Sequence, residues 1–447
     1  MTHKTFSVPR SLLLLFCAVI GWESAIAQQS APAPAANAPV KLTLHDAEQL
    51  AIRKHPRITI ADLNALAAKQ VTREVRSALL PVVGGNATGV TVSQEGNRIS
   101  AGALGNSIVF ERAGAGLFAG QLITDFGRTS NLVTAAGLNS KAQDQNALAT
   151  REQIVFTVDQ AFYDALSADV LVKVADQTVQ ARQVVVNQID ALEKAKLRSA
   201  LDLSFSQVAL AQAQLLQVNA KNSRDAAYAV LSEALGLPGL QIFELVDSIP
   251  AQQPVPDVDT AIQNALQNRP DLKALELQQN STQHLLTAEE RLQLPDISAL
   301  GVVGITPVVG DPRLGPNNYG AIGVNVHIPI FNGFQFSARA DEARLRARAA
   351  SEQVRDLEDI IARQVRVAWL NMNSAFEREN VAAKLLEQAT LSLNLAQARY
   401  NLGLGSIVEL SQAQLQETEA EISTVTAKYQ YELTVSELAF RTGNNLP

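Results

Sequence analysis

Cysteine is almost missing from this 447-residue chain, and its single copy, Cys17, sits in an apolar run near the N-terminus. Beyond that run a disulfide framework and thiol chemistry are excluded. Aromatic residues make up 5% and charged residues 18%, the latter against roughly 25% in ordinary globular domains. Two tryptophans and few other rings fill a wide core poorly, so the composition favours long, thin helical packing with small interfaces. After the N-terminal run no stretch of about 18 apolar residues occurs, which excludes a spanning helix and leaves strands as the only way to cross a bilayer. His3, His45, His55, His284 and His327 are scattered without metal-ligand spacing. No glycine loop has a phosphate-binding context, and the acidic pairs fall on solvated helix faces. These absences predict no catalytic set, no metal, no cofactor and no enzyme. A net charge of −7 argues against a nucleic-acid partner.

The first residues read as a secretory signal. Lys4 and Arg10 precede the apolar run Ser11–Ile20, and Ala25-Ile26-Ala27 is an A-x-A cleavage site, giving a signal peptide over 1–27 and a mature start at Gln28. Processing as a lipoprotein at Cys17 is the alternative; bulky Phe16 before it and the apolar run after it speak against that. Residues 28–41 are Ala/Pro-rich and read as a flexible lead-in.

The remainder is a tandem repeat, the strongest signal in the chain. The first copy covers 42–236 and the second 257–447, with a linker over 237–256 marked by Pro250, Pro254 and Pro256. An offset of 214 carries Ala47 to Ala261, Ala51 to Ala265, Pro56 to Pro270, Leu63 to Leu277 and Pro81 to Pro295. Each copy predicts a helix broken at its proline, two strands, a very long helix, a turn and a return helix. The strands are expected at Val82–Ser93, Ile108–Thr124, Ile297–Thr306 and Tyr319–Ile330, the last alternating Val324, Val326, Ile328 and Ile330 against Asn325, His327 and Pro329. Asp125-Phe126-Gly127 and Phe331-Asn332-Gly333 close the second strand of each copy. Proline-free helix then runs from Arg128 to about Lys196, about 100 Å at 1.5 Å per residue. An offset of 207 aligns two helix–turn–helix tips: Leu197 with Leu404, Ser199 with Ser406, Asp202 with Glu409. The turns are expected at Leu197–Leu201 and around Gly403 and Gly405, with Ser406 capping the following helix.

The fold class is therefore mainly α with membrane β: tandem long helical hairpins plus four strands per chain. Lipid tolerates no open sheet edge, and bacterial barrels start at about eight strands, so four strands must close with those of other copies. Phe110, Phe118, Phe126, Tyr319 and Phe331 fall near strand ends or faces, as interfacial aromatics or as ordinary core.

With Leu80-Pro81 and Leu294-Pro295 before strands, Ile330-Phe331-Asn332-Gly333 after one, and the tip Tyr400–Gln412, nearly all of the mature chain resembles the TolC-like outer membrane factor family. That resemblance implies a homotrimer with a twelve-stranded barrel in outer membrane lipid, standing on an α-helical barrel in the periplasm. It also implies a passive exit duct for tripartite efflux or type I secretion. The partners would be a periplasmic adaptor (membrane fusion) protein and an inner-membrane pump of RND, ABC or MFS type. By the same resemblance Glu409, Asp202, Tyr400 and Gln412 would form the periplasmic gate, Gln412 standing where a second acid is often found. Leu197, Arg198, Ser199, Leu404, Gly405 and Ser406 would be the tips that dock the adaptor. An apolar residue at an exposed turn, repeated in both halves, has little folding reason to be there. A secreted coiled-coil scaffold without a pore is the competing reading; it leaves the paired strands unexplained.

Overall fold

The computed structural model describes residues 41–90, 98–99, 108–109, 112–247, 257–305 and 318–444. The signal peptide, the lead-in up to residue 40, the strand residues beyond Val90, Phe110, the strand loops and the proline-bearing part of the linker lie outside these residues. In chain order the elements are β1 Lys41–Leu42, α1 Leu44–Lys54, α2 Pro56–Ser77, β2 Val82–Val90, β3 Arg98–Ile99, β4 Ile108–Val109, β5 Arg112–Thr124, α3 Arg128–Lys194 and α4 Ala200–Ala234. Then follow β6 Glu244–Leu245, α5 Val258–Asn268, α6 Pro270–Glu290, a 3₁₀ turn Arg291–Gln293, β7 Asp296–Ile305, β8 Asn318–His327, α7 Gln335–Asn401 and α8 Ile407–Arg441.

The repeat is three-dimensional. The long helices α3 and α7 are each 67 residues, and their return helices α4 and α8 are each 35. Pro56 and Pro270 open α2 and α6 at the first helical turn, where the missing N–H costs nothing. Ala47 and Ala51 of α1 share a core with Ile154, Val158 and Ala161 of α3. In the second half Ala261 and Ala265 pack with Ile361, Val365 and Ala368 at the equivalent positions of α7. Alanine on the short helix lets the axes approach closely, so each helical pair docks at one fixed level of its long partner.

Four strands form one antiparallel sheet in the order β2-β5-β7-β8. Its register puts Val83, Leu117, Val303, Ile305, Ile322, Val324 and Val326 on one face, all exposed. The other face is mixed: Asn86, Thr88, Ser298, Asn325 and His327 share it with Val82, Leu122, Leu300, Val302 and several glycines. Phe118 and Tyr319 lie on this mixed face, not on the apolar one where an interfacial ring belongs. Both lie over glycines: a Cβ built on Gly84 would fall 2.5 Å from the Phe118 ring, and one on Gly304 2.5 Å from the Tyr319 hydroxyl. Phe126 and Phe331 follow the strands and are exposed.

Several boundaries differ from expectation. β8 stops at His327, because Pro329 cannot donate to a ladder and restricts the residue before it. The match between Asp125-Phe126-Gly127 and Phe331-Asn332-Gly333 is one residue out. Asp125 accepts from the backbone N–H of Thr129 at 2.7 Å, and Asn332 from that of Phe336 at 3.4 Å. Phe126 and Gly127 take positive φ, as do Gly333 and Phe334. Thus Asp125 corresponds to Asn332, and the offset of 207 that aligns the tips already holds where the long helices begin. The segment 237–247 is more than a linker. Its β6 pairs in parallel with β1, the carbonyl of Phe243 accepts from Tyr228 Oη at 2.9 Å, and Asp247 takes an ion pair from Lys428 Nζ at 2.8 Å.

Candidate functional site

The two hairpin tips are built by one backbone motif. In the first, the N–H of Leu197 reaches the carbonyl of Leu192 at 2.8 Å; in the second, the N–H of Leu404 reaches that of Arg399 at 2.8 Å. This six-residue closure needs a left-handed residue just past the helix. Gly403 supplies it in the second tip with φ 72°, and Lys196 in the first with φ 62°. The turns therefore lie slightly earlier than expected: α4 begins at Ala200, and Leu201 and Asp202 are already helical. Gly405 does not take positive φ; a Cβ there would crowd Glu409 at 3.2 Å and Arg399 at 3.3 Å.

Ser199 and Ser406 cap the return helices, accepting from the N–H of Asp202 and of Glu409, each at 3.1 Å. Asp202 answers by accepting from the Ser199 N–H at 3.4 Å, completing a capping box. Both acids proposed for the gate thus occupy the third position of a helix, where the backbone dipole favours them. Glu409 has a second partner: Arg399 Nε donates to Oε1 at 3.0 Å, and the Arg399 Nη2 donates to the Leu404 carbonyl at 3.2 Å. Arg399 was not singled out from sequence, because its pairing reaches ten positions across a turn that periodicity does not show.

Tyr400 is 5% exposed and joins Ile189, Ile407 and Leu410 in a small core between the hairpins. Arg198, from the first tip, donates to the Tyr400 carbonyl at 2.8 Å and lays its guanidinium 4.3 Å from the ring centroid. The Tyr400 hydroxyl has no hydrogen-bond partner among the described residues. Burial raises its pKa, the cationic Arg198 counteracts, and Asp202 adds to the rise. Gln412 is exposed on α8, one turn above Glu409. Leu197 and Leu404 are 70% and 67% exposed at the extreme ends of the hairpins. So the tips bring Arg198, Tyr400 and Asp202 together on one side and Arg399, Glu409 and Gly405 on the other, with the two leucines outermost.

Further up, Arg182 of α3 is buried and donates to the Gln414 carbonyl at 2.8 Å and to Thr418 Oγ1 at 3.2 Å, both on α8. Burial lowers its pKa, while Glu417 and Glu421 raise it. A charged residue in the middle of a helical pattern reads as solvated, so nothing in the sequence marks this link between hairpins.

A sheet with one mainly apolar and one mixed face, set at the end of two long helices of about 100 Å each, defines a membrane-anchored helical duct segment. The chain belongs to the outer membrane efflux protein family, whose model matches residues 48–237 and 261–444. It is 23% identical over 418 residues to the outer membrane protein TolC of Salmonella enteritidis, covering 87% of this chain and 80% of that one. It is 22% identical to the outer membrane efflux protein BepC of Brucella suis, covering 70% and 68%. The Campylobacter jejuni CmeC outer membrane channel superposes with a TM-score of 0.77 at 17% identity, over 90% of this chain and 86% of that one. The open-state Neisseria gonorrhoeae MtrE channel superposes with a TM-score of 0.74 at 20% identity, over 90% and 89%. The protein is an outer membrane efflux channel that extends into the periplasm.

Proposed function

We propose that three copies assemble into one duct, which receives cargo from a periplasmic adaptor and an inner-membrane pump and passes it through the outer membrane. The observation that carries this is the sheet. Its outer strands, β2 and β8, each have one partner among the described residues, and one face is lined mainly by exposed apolar side chains. In lipid both edges must be paired. Three sheets of four strands, β8 of one copy beside β2 of the next, close a twelve-stranded barrel within the known size range. The helices support the same reading: Leu201, Phe205, Val208 and Leu215 line one exposed face of α4 at heptad-like spacing, which a single chain leaves uncovered.

In this reading the tips close the periplasmic end. Arg198 on Tyr400 holds the two hairpins together, Arg399 on Glu409 braces the second tip internally, and separating the first hairpin from the second opens the entrance. Glu409 and Asp202, repeated around the axis, set its ion preference, with Gln412 above them. Arg399, in the same tip as Glu409, offsets part of its charge and so moderates the cation preference. Leu197, Ser199, Leu404 and Ser406 face the adaptor. Purification from outer membranes followed by single-channel recording in planar bilayers tests the proposal. A trimer that conducts is expected; a correctly folded trimer without conductance refutes the duct.

A further inference from the structure

We infer that Arg363 of one copy forms an ion pair with Glu233 of the next, at a seam where α7 of the first lies along α4 of the second. This rests on the trimer reading above and identifies the contact that joins its copies.

The argument starts from the seam inside one chain. There α3 runs antiparallel to α8, tied by the Phe156–Phe440 stack at 4.9 Å, the Ser436–Asp159 hydrogen bond and Arg182 on Gln414 and Thr418. The repeat relates α3 to α7 and α4 to α8 by a uniform offset of 207. Applied to this seam, it makes α7 the equivalent of α3 and α4 the equivalent of α8. Within one chain α7 has no comparable seam with α4. A ring of repeats supplies it only from the neighbouring copy, as a head-to-tail interface that closes.

Exposure follows this rule. Asp159 and Tyr163 are buried on α3, whereas their equivalents Arg366 and Leu370 on α7 are exposed. Val425 is half-buried against α3, whereas its equivalent on α4, Val218, is 62% exposed. The faces left bare on α7 and α4 are those that α3 and α8 use on each other.

At the level of the phenylalanine stack the offset puts Arg363 in place of Phe156 and Glu233 in place of Phe440. Both are exposed, and neither has an ion-pair partner among the described residues. Opposite charges thus stand at the two positions that the internal seam fills with stacked rings. The substitution has a physical reason. A chain must remain soluble before it meets its neighbours, and an ion pair leaves a hydrated face until then, while the internal seam closes on folding.

The test uses the full-length protein extracted from outer membranes. Arg363→Glu and Glu233→Arg, each alone, are expected to lower the temperature at which the trimer dissociates, and the two together to recover at least half of that loss. In a second experiment Arg363→Cys and Glu233→Cys are combined in a Cys17→Ser background, which leaves no other cysteine in the chain, and treated with a short bis-maleimide. A covalent trimer on denaturing gels is expected, absent from either single variant. If wild-type protein is trimeric but the double swap recovers nothing and no covalent trimer forms, the pair is refuted and the trimer stands. If wild-type protein is extracted as a monomer, the trimer reading itself fails.

Discussion

Removing the carboxyl of Glu48 should abolish a pH dependence built into the helical collar. Asp159 of α3 is 2% exposed; its Oδ2 accepts from Ser436 of α8, and its Oδ1 has no donor among the described residues. Glu48 of α1, its side chain 13% exposed, stands against it. Two carboxyls hydrogen-bond only if one keeps a proton. Burial, the Asp159 charge and the hydrogen bond to Asp159 raise the Glu48 pKa from 4.5 to about 8. His45 on α1, Tyr163 on α3, Glu432 on α8 and Asp247 after β6 complete the charged surroundings. The folded state holds this proton through an interval in which the unfolded chain has lost it. Stability therefore falls as pH rises from about 4.5 to about 8 and is flat above. At about 1.4 kcal/mol per unit the whole shift would be worth roughly 5 kcal/mol. Solvent reaching the edge of Glu48 and movement of α1 reduce this to about 2 kcal/mol. Hydrogen exchange of the α1 peptides, followed from pH 6 to 9 and corrected for the intrinsic pH effect, should show wild-type protection falling. Glu48→Gln, which keeps the hydrogen bond without a titrating proton, should give a flat profile. Parallel profiles for the two proteins would refute the shared proton.

Leu404→Asp should abolish efflux in cells while trimer formation and conductance persist; normal efflux in that variant counts against docking at the tips. Arg399→Ala frees the Glu409 charge, so reversal potentials in salt gradients should shift toward cations, and Glu409→Ala should shift them the other way; identical selectivity would remove both residues from the entrance. Lys196→Gly relieves a left-handed residue in the first tip and should stabilise that hairpin by about 1 kcal/mol in thermal melts. Gly304→Val drives a side chain into Tyr319 and the Ala115 carbonyl; the variant should be expressed but fail to form the heat-modifiable barrel, whereas Gly301→Val, in open space, should form it.

The repeat, the two helical tips and the strands were all legible in the residues. Each rests on local chemistry: helical periodicity over tens of positions, prolines at equal spacing, glycine or serine at helix ends, and alternation in a strand. These are properties of neighbours along the chain, and a duplicated pattern confirms itself. What tertiary structure decided lies between elements. Periodicity showed that Phe118 and Tyr319 belong to strands, but only the register put them on the mixed face over glycines. Tyr400 and Glu409 were marked as a pair of entrance residues; the fold separates them, burying one under Arg198 and tying the other to Arg399. Lys196 reads as an ordinary helical lysine until the turn forces its φ positive. Glu48 and Asp159 lie 111 positions apart and read as two solvated acids. Burial against a third helix raises both their pKa values, because desolvation and charge proximity are set by distance in space, which no one-dimensional pattern records.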